Sequence, residues 1–229
     1  MKRSWVSAWF GVLAVMLSLV SLGQADGVPV GTSINGFPFS GVSVTNVTDA
    51  STFIGAQQGT TLITNLSSET FTGTLTSAVF LDKNTNHLDF VYQYHNNVDS
   101  PDANERLTFF SFAGASVFAY DTNNNNFDSS DFAAGTVQAL YADRPQASGD
   151  TIGFGGFSSN SGSGIAPGLT TYSLILQTNV DTYTVGRGSA IDGSTATGPV
   201  YAPVPEPSFF LLLGSGLLSL GGIRLRWLQ

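Results

Sequence analysis

Oxygen-bearing side chains alternate through one stretch of this chain, Asp121-Thr122-Asn123-Asn124-Asn125-Asn126-Phe127-Asp128-Ser129-Ser130-Asp131. A hard cation such as calcium takes roughly six to eight oxygen ligands at short range, so carboxylates and amides at this spacing are what it requires. Asp121, Asn123, Asn125, Asp128 and Asp131 are the candidate metal ligands, and Ca2+ is the one cofactor they would suit. A second acidic group, Asp99, Asp102 and Glu105 around Pro101, has the residue types that hydrolyse a glycosidic bond when two carboxylates flank it. In an Asn/Asp/Pro-rich stretch the same residues read as a solvated turn. His87 and His95 are the only histidines. A strand between them, rising about 3.3 Å per residue, puts them too far apart to share a metal. The chain has no cysteine, which excludes disulfides, thiolate nucleophiles and cysteine-zinc sites. No catalytic constellation emerges, and the chain is read as non-enzymatic.

In spacing, the Asp121–Asp131 stretch looks like a calcium loop of the EF-hand or dockerin kind, with departures. Asn126 replaces the turn glycine, and the twelfth position is Phe132 where the loop needs a bidentate acid. Those departures favour a polar surface turn. Asp82, Asn84, Asn86 and Asp89 repeat the spacing, but inside Asp82–His87, which reads as a hairpin turn between two strands.

The elements that must position these groups read as strands. Phe71, Leu75, Val79 and Leu81 share one face, with Thr72, Thr74 and Thr76 on the other. Leu88, Phe90, Tyr92 and Tyr94 alternate with Asp89, Val91 and Gln93, and Tyr172, Leu174 and Leu176 with Thr171, Ser173 and Ile175; Tyr183 and Val185 repeat the pattern. Leu107 to Phe112 is apolar on both faces, as a central covered strand would be. Tyr92, Tyr94, Phe109 and Phe110 have the rings to stack on sugars, but strand spacing assigns them to the core. Ser129 to Leu140 has room for one helical turn, and Gly153 to Gly168 reads as a long Gly/Ser loop. Short strands, Gly-rich turns and no alternating helices predict an all-β antiparallel sandwich, jelly-roll-like or Ig-like, over residues 26–194; a closed barrel is the alternative. Residues 195–204 read as an extended Pro/Thr linker.

Residues 26–204 carry 15 acidic against 4 basic side chains, a net charge of −11. No nucleic-acid partner is expected, because phosphate binding needs a basic footprint. The two ends have the opposite character. Lys2 and Arg3 precede an apolar run, and Gly23-Gln24-Ala25 supplies small residues for a cut between Ala25 and Asp26, the layout of a secretory signal peptide over residues 1–25. Residues 208–223 form an uncharged apolar run, about 24 Å as a helix against a hydrocarbon core of about 30 Å, followed by Arg224 and Arg226. Basic residues stay on the cytoplasmic side, so the run is expected to be a transmembrane helix with everything before it outside.

Pro205-Glu206-Pro207, the Leu/Gly/Ser run and the closing Arg224-Leu225-Arg226 resemble the PEP-CTERM sorting signal of Gram-negative bacteria, over residues 205–229. The resemblance implies recognition by an exosortase-type membrane peptidase, transient anchoring in the inner membrane, and release to the cell surface or extracellular matrix. It carries over no activity. The expectation is an exported surface or matrix protein, structural or adhesive. The alternative is a calcium-assisted carbohydrate-binding module with extracellular polysaccharide as partner, and the third reading is a secreted hydrolase.

Overall fold

A computed structural model describes residues 27–30, 42–123, 129–145, 149–159 and 162–204. The proposed signal segment (1–25), the Ala25/Asp26 cut, the sorting residues Pro205, Glu206, Pro207, Arg224 and Arg226, and the run 208–223 lie outside the described residues.

The described chain is all-β, two sheets packed face to face. A six-stranded sheet has the order β1 (Val42–Ser43), β9 (Tyr141–Asp143), β10 (Ile152–Gly155), β7 (Arg106–Phe109), β14 (Tyr183–Asp192), β15 (Ser194–Pro203). A seven-stranded sheet has the order β2 (Thr45–Asn46), β8 (Val117–Thr122), β13 (Ser173–Thr178), β6 (Leu88–Asn96), β5 (Thr72–Asp82), β3 (Ile54–Gln57), and β4 (Leu62–Ser67) pairs with the other half of β5. Among the described residues every strand pairing is antiparallel except β2 with β8, and the isolated Val137–Thr171 bridge is also parallel. The only helical residues described are the single 3-10 turn Ala50–Thr52.

Alternation in the sequence translates into the core, except that Tyr172 is only half-buried and Val185 is exposed. Phe71, Leu75 and Val79 from the β5 region, Leu88, Phe90, Tyr92 and Tyr94 from β6, and Leu174 and Leu176 from β13 all enter the inter-sheet cluster. β7, with Leu107 and Phe109 buried, lies between β10 and β14 as a central strand should. Tyr92 of one sheet stacks on Phe109 of the other, centroids 3.8 Å apart at 12°. Such a pair adds about 1 kcal/mol beyond its buried area. The Tyr92 hydroxyl donates to the Tyr201 carbonyl at 2.6 Å, so its burial leaves no unpaired donor.

Three expectations are corrected. Residues 195–203 are not a linker: they form β15, paired with β14 from Asp192↔Ser194 to Tyr183↔Pro203. The prolines that suggested a linker suit an edge strand. Tyr201 turns its peptide away from β14, donating its N–H to Ser77 Oγ and accepting from Tyr92. By alternation Pro199 and Pro203 face the same way, where a missing N–H costs nothing and denies a neighbour a pairing site. The Pro199 carbonyl is taken by Thr64 Oγ1 at 2.6 Å. Restoring a donor there in P199V is expected to shift the chain toward larger species, as light scattering would record; an unchanged distribution would count against the edge argument.

The second correction concerns residues 153–168, which are not one loop. They include the end of β10 and a small hairpin of β11 (Ser158–Ser159) with β12 (Gly162–Ser163), and Ile165 bridges Asn104. Third, 129–140 contains no helical turn among its residues; Val137 and Gln138 make isolated bridges to Thr171 and Ser158.

The face of β5, β6 and β13 that alternation assigned to solvent is also covered. Ala78, Phe80, Val91 and Ile175 pack under Ala50, Ile54 and Phe132 in a second cluster. Gln93 ties down one cover segment, accepting from the Ala133 N–H and donating to its carbonyl, both at 2.8 Å.

Candidate functional site

The six-stranded sheet ends in an acidic cleft. β7 and β9 begin there, β10 and β14 end there, and these strand ends bring together Arg106, Tyr141, Phe157 and Asp192 with Asp102 and Glu105 from the segment entering β7. The cleft has a volume of about 560 Å3. Its wall depends on the two glycines of β10. Gly155 lies between Arg106 and Tyr141 in the sheet, and Gly153 between Thr108 and Asp143. A β-carbon on Gly155 would collide with the Tyr141 hydroxyl, and one on Gly153 with the Arg106 guanidinium. Both large side chains therefore lie across the face of β10 that carries only glycine, Ile152 and Phe154 being on the other face.

Arg106 is not free to bind an anion. It makes a bidentate pair with Asp143, Nη1 to Oδ2 at 2.7 Å and Nη2 to Oδ1 at 2.6 Å, and Asp143 is fully buried. That leaves Asp102, Glu105 and Asp192 to set the sign of the field. Burial, then the charges of Asp102 and Glu105, push the Asp192 carboxyl above its ordinary value. Carboxylates accept hydrogen bonds from hydroxyls, and Tyr141 adds a ring and a hydroxyl beside them. The arrangement suits a neutral, hydroxyl-rich ligand.

The calcium-loop residues are placed differently. Asp121 ends β8 and is fully buried; it accepts from Asn46 Nδ2 at 2.9 Å and from the Ala139 N–H at 3.2 Å. Its carboxylate therefore secures β2 and the 137–139 segment to β8. Burial pushes it up to about 6, against the pull of its bonds to Asn46, Ala139 and Gln138. Asn123 and Asp131 are exposed, and Asn125 and Asp128 lie outside the described residues. Among the described residues no three His, Asp or Glu side chains converge closely enough to hold a metal.

The histidines go to separate partners, His87 Nδ1 to Asp181 Oδ1 at 2.5 Å and His95 Nδ1 to Thr170 Oγ1 at 2.9 Å. Asp102 and Glu105 do reach the cleft, whereas Asp99 is not among its lining residues. Tyr92, Tyr94 and Phe109 are core. Asp192 and Tyr141 were missed; Asp192 ends β14 and Tyr141 begins β9, and only the sheet order brings them beside Glu105. Asp82 and Asp89, which the spacing placed with a hairpin turn, are instead a buried acid pair on the outer face of the seven-stranded sheet.

No protein-family model, curated protein or solved structure matches the chain.

Proposed function

We propose that the chain is an exported, C-terminally sorted surface or matrix protein with no catalytic activity, whose β body adheres to extracellular polysaccharide through the acidic cleft. The export and sorting part rests on residues 1–25 and 205–229. The observation that carries the adhesive part is the convergence of Asp102, Glu105 and Asp192 on Tyr141 in one cleft. Three carboxylates facing a cleft repel anionic polymers, so the polysaccharide is neutral. In this reading the carboxylates accept hydroxyl protons and Tyr141 packs against a ring face. β15 runs to Pro203, so the body is held close to the Pro205-Glu206-Pro207 motif.

Y141A and the pair E105Q/D192N are expected to weaken retention on immobilised neutral polysaccharide at least tenfold, about 1.4 kcal/mol or more, with the melting transition little changed. Equal retention of parent and variants would overturn the cleft assignment. Separately, removing residues 205–229 should change where the protein accumulates in cells, and an unaltered distribution would overturn the sorting assignment.

A further inference from the structure

Asp89 sits on the outer face of the seven-stranded sheet, opposite Phe80 of β5 and Gln177 of β13. It is fully buried, and neither carboxylate oxygen meets a donor in good hydrogen-bonding geometry. An ionised carboxylate cut off from water, with no donor well placed for it, is strongly disfavoured. Its neighbour Asp82, 1% exposed, has the opposite surroundings. Asp82 Oδ1 accepts from the Asn84 and Thr85 N–H groups, each at 2.6 Å, and Oδ2 from Gln177 Nε2 at 2.5 Å. The Thr85 side chain also hydrogen-bonds it, so Asp82 is surrounded by donors and is the ionised member of the pair.

We infer that Asp89 carries a proton and donates it to Asp82, so that the buried pair holds one proton between two carboxyl groups. The electrostatics agree. Burial, the charge of Asp82 and the hydrogen bond with it push the Asp89 carboxyl up to about 8, against a weaker pull from the Thr178 amide. Burial also pushes on Asp82, but its bonds from Thr85, Gln177 and Asn84 outweigh that and hold it below its ordinary value.

The proton matters to the segment that covers this face. Ile54 pairs with Asp82, the Lys83 N–H donates to the Phe53 carbonyl, Lys83 Nζ donates to the Ser51 carbonyl, and Phe53 packs on Tyr120 at 5.4 Å. The charged and titratable groups around Asp89 are Asp82 and Lys83 from β5 and its turn, and Tyr120 from β8; β13 contributes the neutral Gln177, and His87 in the turn faces Asp181. Tyr120 is raised by burial and by both carboxylates, so it supplies no positive charge. Removing the proton would place a second negative charge beneath residues 50–54. In an exported protein, which rests on the reading above, that proton exchanges with the outside medium.

Between an aspartate's ordinary value of about 3.9 and about 8, the folded chain holds one more proton here than the unfolded chain. Stability from this site therefore falls as pH rises through that window and levels off above it. Asp121 overlaps the lower part and histidine charge ordinarily changes within pH 6 to 8, so comparison of the parent with D89N, rather than the window alone, isolates Asp89. For the full-length chain, the unfolding constant from denaturant titration is expected to rise about tenfold per pH unit from pH 6 to 8. D89N should flatten that slope. D82N should lower the midpoint at which the Asp89 carboxyl carbon titrates by NMR, because it removes the adjacent charge. A flat slope in the parent, an Asp89 carboxyl titrating below pH 6, or a midpoint unmoved by D82N would each overturn the shared proton. So would stabilisation of the parent by calcium at pH 7 that D89N abolishes, since the pair would then be a metal site.

Discussion

Arg144→Ala is expected to destabilise the chain by about 3–5 kcal/mol, a large share of the roughly 5–15 kcal/mol that holds a domain together. Arg144 is 3% exposed, yet its guanidinium finds three carbonyl acceptors: Nε donates to Gly149 at 2.7 Å, Nη1 to Ala115 at 2.8 Å and Nη2 to Phe112. Those carbonyls belong to the turn after β7 and the approach to β10, which have no ladder of their own at these points. Phe112 and Ala115 are themselves buried; the Phe112 carbonyl also accepts from the Ala115 N–H at 3.1 Å, whereas the Ala115 oxygen depends on this side chain rather than on water. Deleting it leaves up to two buried acceptors unpaired, those of Gly149 and Ala115, each costing about 1–3 kcal/mol before relaxation or entering water reduces the sum, and weakens the pairing of a third. Burial pushes the guanidinium pKa down and Asp150 pulls it back. R144K should recover only part of the loss, because an ammonium lacks the planar fork that reaches three directions at once. Urea midpoints of parent, R144A and R144K give the test. A loss in R144A below about 1 kcal/mol would mean the loops are held by other contacts.

The same residue marks how far the sequence could be read. Strand positions were legible wherever a face alternates, since Leu88, Phe90, Tyr92 and Tyr94 can bury together only at a period of two. The turn Asp82–His87 was legible because Asp82 caps it locally, accepting from Asn84 and Thr85. What alternation misjudged is Asp89. It lies on the polar phase of β6, but residues 50–54 and 132–133 cover that phase, and segments this short have no periodicity to announce them. β15 was misread for a different reason. Proline removes a donor, and a sequence cannot say whether that donor would have faced a partner strand or open space. Of the cleft, Asp102 and Glu105 stood out as an acidic cluster near Pro101. Tyr141 and Asp192 join them only through the order β9-β10-β7-β14, a tertiary fact. Arg144 showed in the sequence as one of four body cations, and nothing near it in the chain pointed to Phe112 or Ala115.

The wall of the cleft permits the sharpest stability test, because the two halves of one ion pair are unequally buried. Asp143 has no exposed side-chain surface, whereas the Arg106 side chain is 17% exposed and opens onto the cleft. R106A strands a carboxylate with no water and no cation, which is expected to cost about 3–5 kcal/mol. D143A strands a guanidinium that can turn toward solvent and toward Glu105 or Asp192, so its cost should be smaller, about 1–3 kcal/mol. The double variant R106A/D143A removes the uncompensated charge altogether. It should therefore be more stable than R106A alone, by about 1 kcal/mol or more, even though it deletes more of the protein. Gly153 makes the geometry specific: a β-carbon there would strike both the Arg106 guanidinium and Asp143 Oδ1. G153A should accordingly weaken the pair, and in an R106A background the same change should cost much less. If R106A and D143A instead proved equal and additive in denaturant titrations, the pair would be a surface contact in energetic terms. The wall on which the polysaccharide reading depends would then have to be held by its other lining residues, Tyr141 and Phe157 among them.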